Sequence, residues 1–231
     1  MRSILSRLIA ALALAGAFAG AAHADGVAVT FERLAGVAGV SSTTVFRADL
    51  SGLGLANVTS ISLFDSNSKQ GGSPGAFSGF DLDAIVLSTT RATSATQMSG
   101  LSTLPAFDFT PAGTRFSAGT QRPPAAPRLA GTDPTGLDVD PAAATLGSFD
   151  AVWFTRGSVS LGDGGNITFN LTAPVSTAGL YLYVGEVGNT AGENIGGVFV
   201  SAAPVPEPGS WMLMLAGLGL CSAFLRRRPQ A

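Results

Sequence analysis

The chain predicts an all-β body, an antiparallel β-sandwich or jelly-roll-like module, set between an N-terminal signal helix and a C-terminal transmembrane helix. Three observations carry this. Short apolar or alternating runs recur along residues 25–204 and are broken by Gly, Pro, Asn and Asp. Gly, Ser, Thr, Ala and Val dominate that body, while Lys, Glu and Gln, the usual fillers of exposed helix, are scarce. Two uniformly apolar segments stand at the ends, each accompanied by arginines.

At the N-terminus, Arg2 and Arg7 precede or interrupt an apolar stretch from Leu8 to Phe18. Ala22 and Ala24 flank His23 in the small-x-small pattern of a signal-peptidase site, so residues 1–24 read as a signal peptide and Asp25 as the first mature residue. A buried globular helix would show a polar face, and residues 9–22 have none.

The body then offers eight strands: Val27 to Phe31, Thr43 to Leu50, Val58 to Phe64, Phe80 to Leu87, Phe149 to Thr155, Asn166 to Leu171, Leu180 to Val184 and Ile195 to Val200. The pattern is cleanest in the sixth. Ile167, Phe169 and Leu171 fall on one face while Asn166, Thr168 and Asn170 fall on the other, a two-residue period that suits a strand with one wet face. Alternation places Asp81 and Asp83 together, opposite Phe80, Leu82 and Ala84. Gly164 and Gly165 supply the positive-φ positions of a tight connection before Asn166.

The middle is less regular. Residues 115–135 contain Pro123, Pro124, Pro127 and Pro134 and read as a long surface loop; Thr89 to Thr103 reads as a short helix or a loop. A weak echo links residues 79–85 to 147–152, which convergent strand patterning explains better than a true repeat. Asn57, Asn166 and Asn170 match the N-glycosylation acceptor pattern, but wet-face and turn chemistry accounts for them more simply.

Beyond residue 204 the chain changes character. Pro206, Glu207 and Pro208 form a rigid, donor-poor, extended peptide, because proline fixes φ and pushes its predecessor away from the helical region. The apolar run 211–225 follows, with Trp211, Leu213, Leu215, Leu218, Leu220, Phe224 and Leu225 as its large members, and then Arg226, Arg227 and Arg228. A helix over that run reaches only about 22 Å, short of a hydrocarbon core of about 30 Å. Trp211 at one interface and snorkelling arginines at the other extend it, and the arginines belong on the cytoplasmic side. A C-terminal packing helix is the alternative.

In this order, at the extreme C-terminus, the three elements of residues 205–231 resemble the PEP-CTERM sorting signal of Gram-negative bacteria. The resemblance implies an exported substrate of exosortase, a multipass membrane enzyme that cleaves near the Pro-Glu-Pro. By position, Pro206, Glu207 and Pro208 would be the recognition residues, the run 211–225 the membrane hold and Arg226 to Arg228 the stop-transfer cluster. It further implies passage through the general secretion machinery, anchorage in the inner membrane before processing, and delivery to the cell surface or extracellular matrix. Residues 80–85, 159–169 and 181–201 are similar to the concave β-sandwich or jelly-roll modules attached to such signals, although Asp163 departs from their usual turn.

Charge and chemistry narrow the body's role. Residues 25–204 carry eight Lys and Arg against fourteen Asp and Glu, formally −6, which disfavours nucleic acid as a partner. His23 and Cys221 are the chain's single histidine and cysteine, and both lie outside the body. Histidine-based triads, zinc-thiolate sites and cysteine nucleophiles are therefore excluded there. Asp81, Asp83, Asp138, Asp140 and Glu193 offer oxygen ligands to calcium, or are solvated strand and turn acids; the spacing near Gly136 lacks the full EF-hand pattern. No other cofactor and no catalytic residue is expected. The expected function is a non-enzymatic surface or matrix protein associated with exopolysaccharide. A calcium-dependent carbohydrate-binding module is the first alternative and a carboxylate-based glycan-active enzyme the second.

Overall fold

Alternating side chains resolve into two stacked sheets in the computed structural model, which describes residues 26–70, 73–153, 155–188 and 195–202. In chain order the strands are β1 (Val27–Ala28), β2 (Glu32–Arg33), β3 (Thr44–Asp49), β4 (Val58–Asp65) and β5 (Asp81–Ser88). They continue with β6 (Thr114–Ser117), β7 (Val159–Ser160), β8 (Asn166–Val175), β9 (Tyr181–Glu186) and β10 (Ile195–Ser201). One sheet has the order β1-β10-β4-β8-β6 and is called sheet A; the other, sheet B, has the order β2-β3-β9-β5-β7. All strand pairs are antiparallel.

The core lies between the sheets. Ile61, Leu63, Ile167, Phe169, Val198 and Val200 from sheet A meet Phe46, Leu82, Ile85, Leu87, Leu182 and Val184 from sheet B. Full burial of one such Leu, Ile or Phe stabilises by about 1.5–3 kcal/mol relative to exposure. A one-residue slip of β8 would exchange Ile167 and Phe169 for Asn166 and Thr168 on the core face, so this alternation specifies register.

Sheet B is apolar on both faces. Val45, Val86 and Tyr183 point away from the main core into a second cluster with Leu34, Ala38, Ala92, Ala95 and Met98. The segment that covers them is fastened at two points. The Tyr183 hydroxyl receives the Ala92 N–H at 2.7 Å and donates to the Thr90 carbonyl at 2.8 Å. The buried Arg47 guanidinium donates to the Ala92 carbonyl at 2.5 Å and pairs with Glu32 at 2.5 Å. Residues 95–100 then form a 3₁₀ turn whose Ser94 and Gln97 make a reciprocal capping box.

Several expectations change. Residues 149–155 form no strand; a Val152–Arg156 bridge turns the chain there, and Phe149 packs on the second cluster. Only the first member of the 79–85 and 147–152 echo is therefore a strand, which removes the repeat. The proline-rich stretch 115–135 is not a freely displayed loop. Its start belongs to β6, the Arg122 carbonyl accepts the Gly75 N–H at 2.8 Å, its N–H donates to Ser78 Oγ at 2.8 Å, and its side chain pairs with Asp163 at 3.3 Å. Among the described residues no helix is long and apolar enough to cross a membrane. The expected signal helix at 1–24, with Ala22 and Ala24, and the expected membrane segment 211–225 lie outside the described residues.

Candidate functional site

Asp81 and Asp83 were expected on one face of a regular strand, and a bulge separates them. Leu82 pairs with Glu186 and Ala84 with Gly185, so Asp83 is the extra residue of β5. Neither acid is solvated. Asp81 accepts a hydrogen bond from Ser160 Oγ of β7, and Asp83 accepts from Thr43 Oγ1 and from the Ala151 N–H at 3.0 Å. Burial, reinforced by the nearby Asp150, pushes the Asp83 carboxyl up to about 6 against the hydrogen bonds that stabilise its charge. Ser41 completes the joint: its hydroxyl donates to the Ala151 carbonyl at 2.7 Å and accepts the Trp153 N–H at 2.8 Å. The arrangement anchors the 149–153 segment on sheet B.

The turn acids are likewise engaged by backbone. Asp133 accepts the Leu137 and Asp138 N–H groups at 3.1 and 3.3 Å, and the Thr135 hydroxyl holds its carboxyl below the usual carboxylate range. Asp140 accepts the Ala142 N–H at 2.9 Å, while Asp138 is exposed. Among the described residues no three His, Cys, Asp or Glu side chains come together as a metal would require. Glu193 lies outside the described residues.

The outer face of sheet A is organised differently. Its central row crosses all five strands through paired residues: Ala28, Phe199, Ser62, Thr168 and Arg115. The adjoining row contains Gly197, Phe64, Asn166 and Ser117. Ser62 and Thr168 share a hydrogen bond between their hydroxyls at 2.8 Å. Phe64 and Phe199 meet edge to face with centroids 5.6 Å apart, and neither belongs to the interior cluster. Phe199 is 39% exposed, and Arg115 is exposed at the opposite side of the sheet. Sequence reading placed Asn166, Thr168 and Asn170 together on the outer side of β8, but that side is not wet: Thr168 is buried and the two asparagines are half-buried. It missed Phe64, Phe199, Ser62 and Arg115, whose shared row depends on register between strands far apart in the chain.

β10 ends this face at Ser201, immediately before a segment of a different kind. A family model described as the PEP-CTERM protein-sorting motif matches residues 204–228. The chain carries a PEP-CTERM sorting signal. No curated protein and no solved structure matches the chain. The PEP-CTERM match contains Pro206, Glu207 and Pro208, the apolar run 211–225 and Arg226 to Arg228, all outside the described residues. It makes the chain an exported protein, anchored in a membrane before exosortase processing. The PEP-CTERM signal thus begins within a few residues of the last strand of sheet A.

Proposed function

We propose that the β body is a non-enzymatic component of the cell surface or extracellular matrix, carried across the inner membrane by the general secretion machinery and released from its tail by exosortase. The match at residues 204–228 carries the sorting half of this reading. The absence of histidine and cysteine from residues 25–204, and the use of Asp65, Asp81, Asp83 and Asp133 as hydrogen-bond acceptors within the fold, support the non-enzymatic half.

The test replaces Glu207 by Ala within its proline frame and follows tagged wild type and variant by cell fractionation and intact mass. The wild type is expected to begin at Asp25, to lose its C-terminal tail and to reach the surface. The variant is expected to cross the inner membrane and to keep the tail there. Identical processing of the two proteins refutes recognition at this tripeptide. Retention of the wild type in the cytosol refutes the export reading.

A further inference from the structure

We propose that residues 149–153 are a pH-operated latch on the outer side of sheet B, tight in acid and loose at neutral pH, with Asp83 as the catch. The device belongs to the exported body and is independent of tail processing. Its geometry is that of a separate strap. Among the described residues its backbone joins no strand ladder, and the Val152–Arg156 bridge closes only a local turn. Two side chains from other segments hold it down. Asp83 of β5 accepts the Ala151 N–H at 3.0 Å, while Ser41 donates to the Ala151 carbonyl at 2.7 Å and accepts the Trp153 N–H at 2.8 Å.

The strap has a seat on β9. A Cβ on Gly185 would stand 2.7 Å from the Phe149 ring, so the ring lies against bare backbone that only glycine provides. Phe149 is half-buried, Ala151 is buried, and Asp150, Val152 and Trp153 are exposed. Lifting the strap therefore forfeits the burial of Ala151 and part of that of Phe149, a modest apolar loss of the kind that permits opening without unfolding the sheets. It also removes the Ala151 N–H from Asp83, which is fully buried while the strap is down, and admits water in its place.

Protonation decides which state is favoured. With the strap down, burial chiefly, and the like charge of Asp150 in addition, raise the Asp83 carboxyl to about 6 from its ordinary 3.8, against the bonds from Thr43 and Ala151. The neutral acid belongs to the closed strap and the carboxylate to the open one. Support for closure is complete below pH 3.8, declines as pH rises toward 6, and is absent above it. A difference of about two pH units caps the change in the opening equilibrium at about a hundredfold. Few other charges surround the catch. The strap and its turn contribute Asp150 and Arg156, β5 contributes Asp81, which is bonded to Ser160, and β9 contributes the buried Glu186. Arg33 of β2 reaches Thr44 Oγ1 at 3.4 Å, and residues 36–43 and 143–148 carry no charged side chain.

Hydrogen exchange of the full chain in detergent, read at the Ala151 and Trp153 amides between pH 4 and 8 and corrected for intrinsic exchange chemistry, measures the opening. Both amides are expected to be less protected than those of residues 167–169 in β8 at every pH, because the strap opens alone. Their opening equilibrium is expected to rise about ten- to a hundredfold from pH 4 to pH 8. Asp83→Asn is expected to abolish the rise. Asp49→Asn, the same change at an exposed acid at the other end of β3, is expected to keep it. Thermal unfolding checks that each variant is folded. If Asp83→Asn is not, the carboxyl carbon shift of Asp83 in the wild type serves instead, and its titration must share the midpoint of the exchange rise. A carboxyl midpoint at the ordinary 3.8 overturns the proposal. So does a wild-type opening that is constant or falls as pH rises, a rise that survives in Asp83→Asn, or one that is lost in Asp49→Asn. Protection equal to that of β8 also overturns it, since the segment then opens only with the whole fold.

Discussion

Asp83→Asn should stabilise this protein at alkaline pH, although it alters a fully buried, hydrogen-bonded side chain. The native carboxyl titrates at about 6 against an ordinary value of 3.8, with desolvation in the β5 bulge as the main cause. The folded state therefore holds this proton more tightly than the unfolded chain. Stability associated with Asp83 is greatest below pH 3.8, declines as pH rises through the window from 3.8 to 6, and is fully lost above it. At about 1.4 kcal/mol per pH unit, the penalty for carrying the buried charge approaches about 3 kcal/mol. Asparagine is neutral throughout, keeps an oxygen for the Ala151 N–H and offers its amide to Thr43 Oγ1, which can accept. A gain of roughly 1–3 kcal/mol at pH 8 follows, worth roughly 2–4 °C in melting temperature for each kcal/mol. Denaturant unfolding of both proteins at pH 8, 6 and 4 measures it, and the difference between them cancels the other carboxylates. The advantage should shrink toward pH 4. A variant less stable than wild type at pH 8, or an advantage unchanged between pH 8 and 4, would refute the reasoning.

Two further substitutions probe the frame around the sheets. Asp65→Ala removes the acceptor for the N–H groups of Asn67, Phe80 and Gly164, at 2.6, 2.9 and 2.8 Å, and should cost about 3 kcal/mol or more in equilibrium unfolding; a loss under about 1 kcal/mol would show that water replaces the carboxylate. Tyr183→Phe keeps the ring but leaves the buried Ala92 N–H without its 2.7 Å partner, so a loss of about 1–3 kcal/mol and faster amide exchange across residues 90–95 are expected; unchanged exchange would place the fastening of that segment on Arg47 instead.

The strands that were legible in advance carry their own periodicity or a β-branched run. Asn166 to Leu171 became the start of β8, and Val58 to Phe64, Thr43 to Leu50 and Ile195 to Val200 became β4, β3 and β10 within a residue or two at each end. β6 escaped because its four residues stand beside a proline-rich stretch and owe their geometry to pairing with β8. The run from Phe149 to Trp153 misled for the opposite reason: Phe149 packs on the outside of sheet B and Ala151 is buried, while Val152 and Trp153 are exposed, an arrangement that does not require a strand. The continuous run Ala84 to Leu87 held a sign of burial on both faces, since a half-wet strand would alternate. The fate of Asp83 had no local sign at all. Its partners Thr43 and Ala151 lie 40 and 68 residues away, and the bulge at its position exists only once β5 meets β9. The aromatic and hydroxyl row of sheet A was hidden likewise, because Phe199, Ser62, Thr168 and Arg115 become neighbours only through pairing.

The pairing of β1 with β10 ties the timing of assembly to that of translocation. Val27 and Ala28 find their places only beside Val200 and Phe199, and β10 is also the strand through which β4 gains its second neighbour. A chain that crosses the bilayer N-terminus first must hold its opening residues unpaired until nearly all of the body has emerged. Anchorage of the tail in the membrane before processing keeps the last strand close to the exit, where the waiting segment and its partner share a small volume. In such a chain the tail acts first as a folding tether, and its removal is best delayed until sheet A has closed.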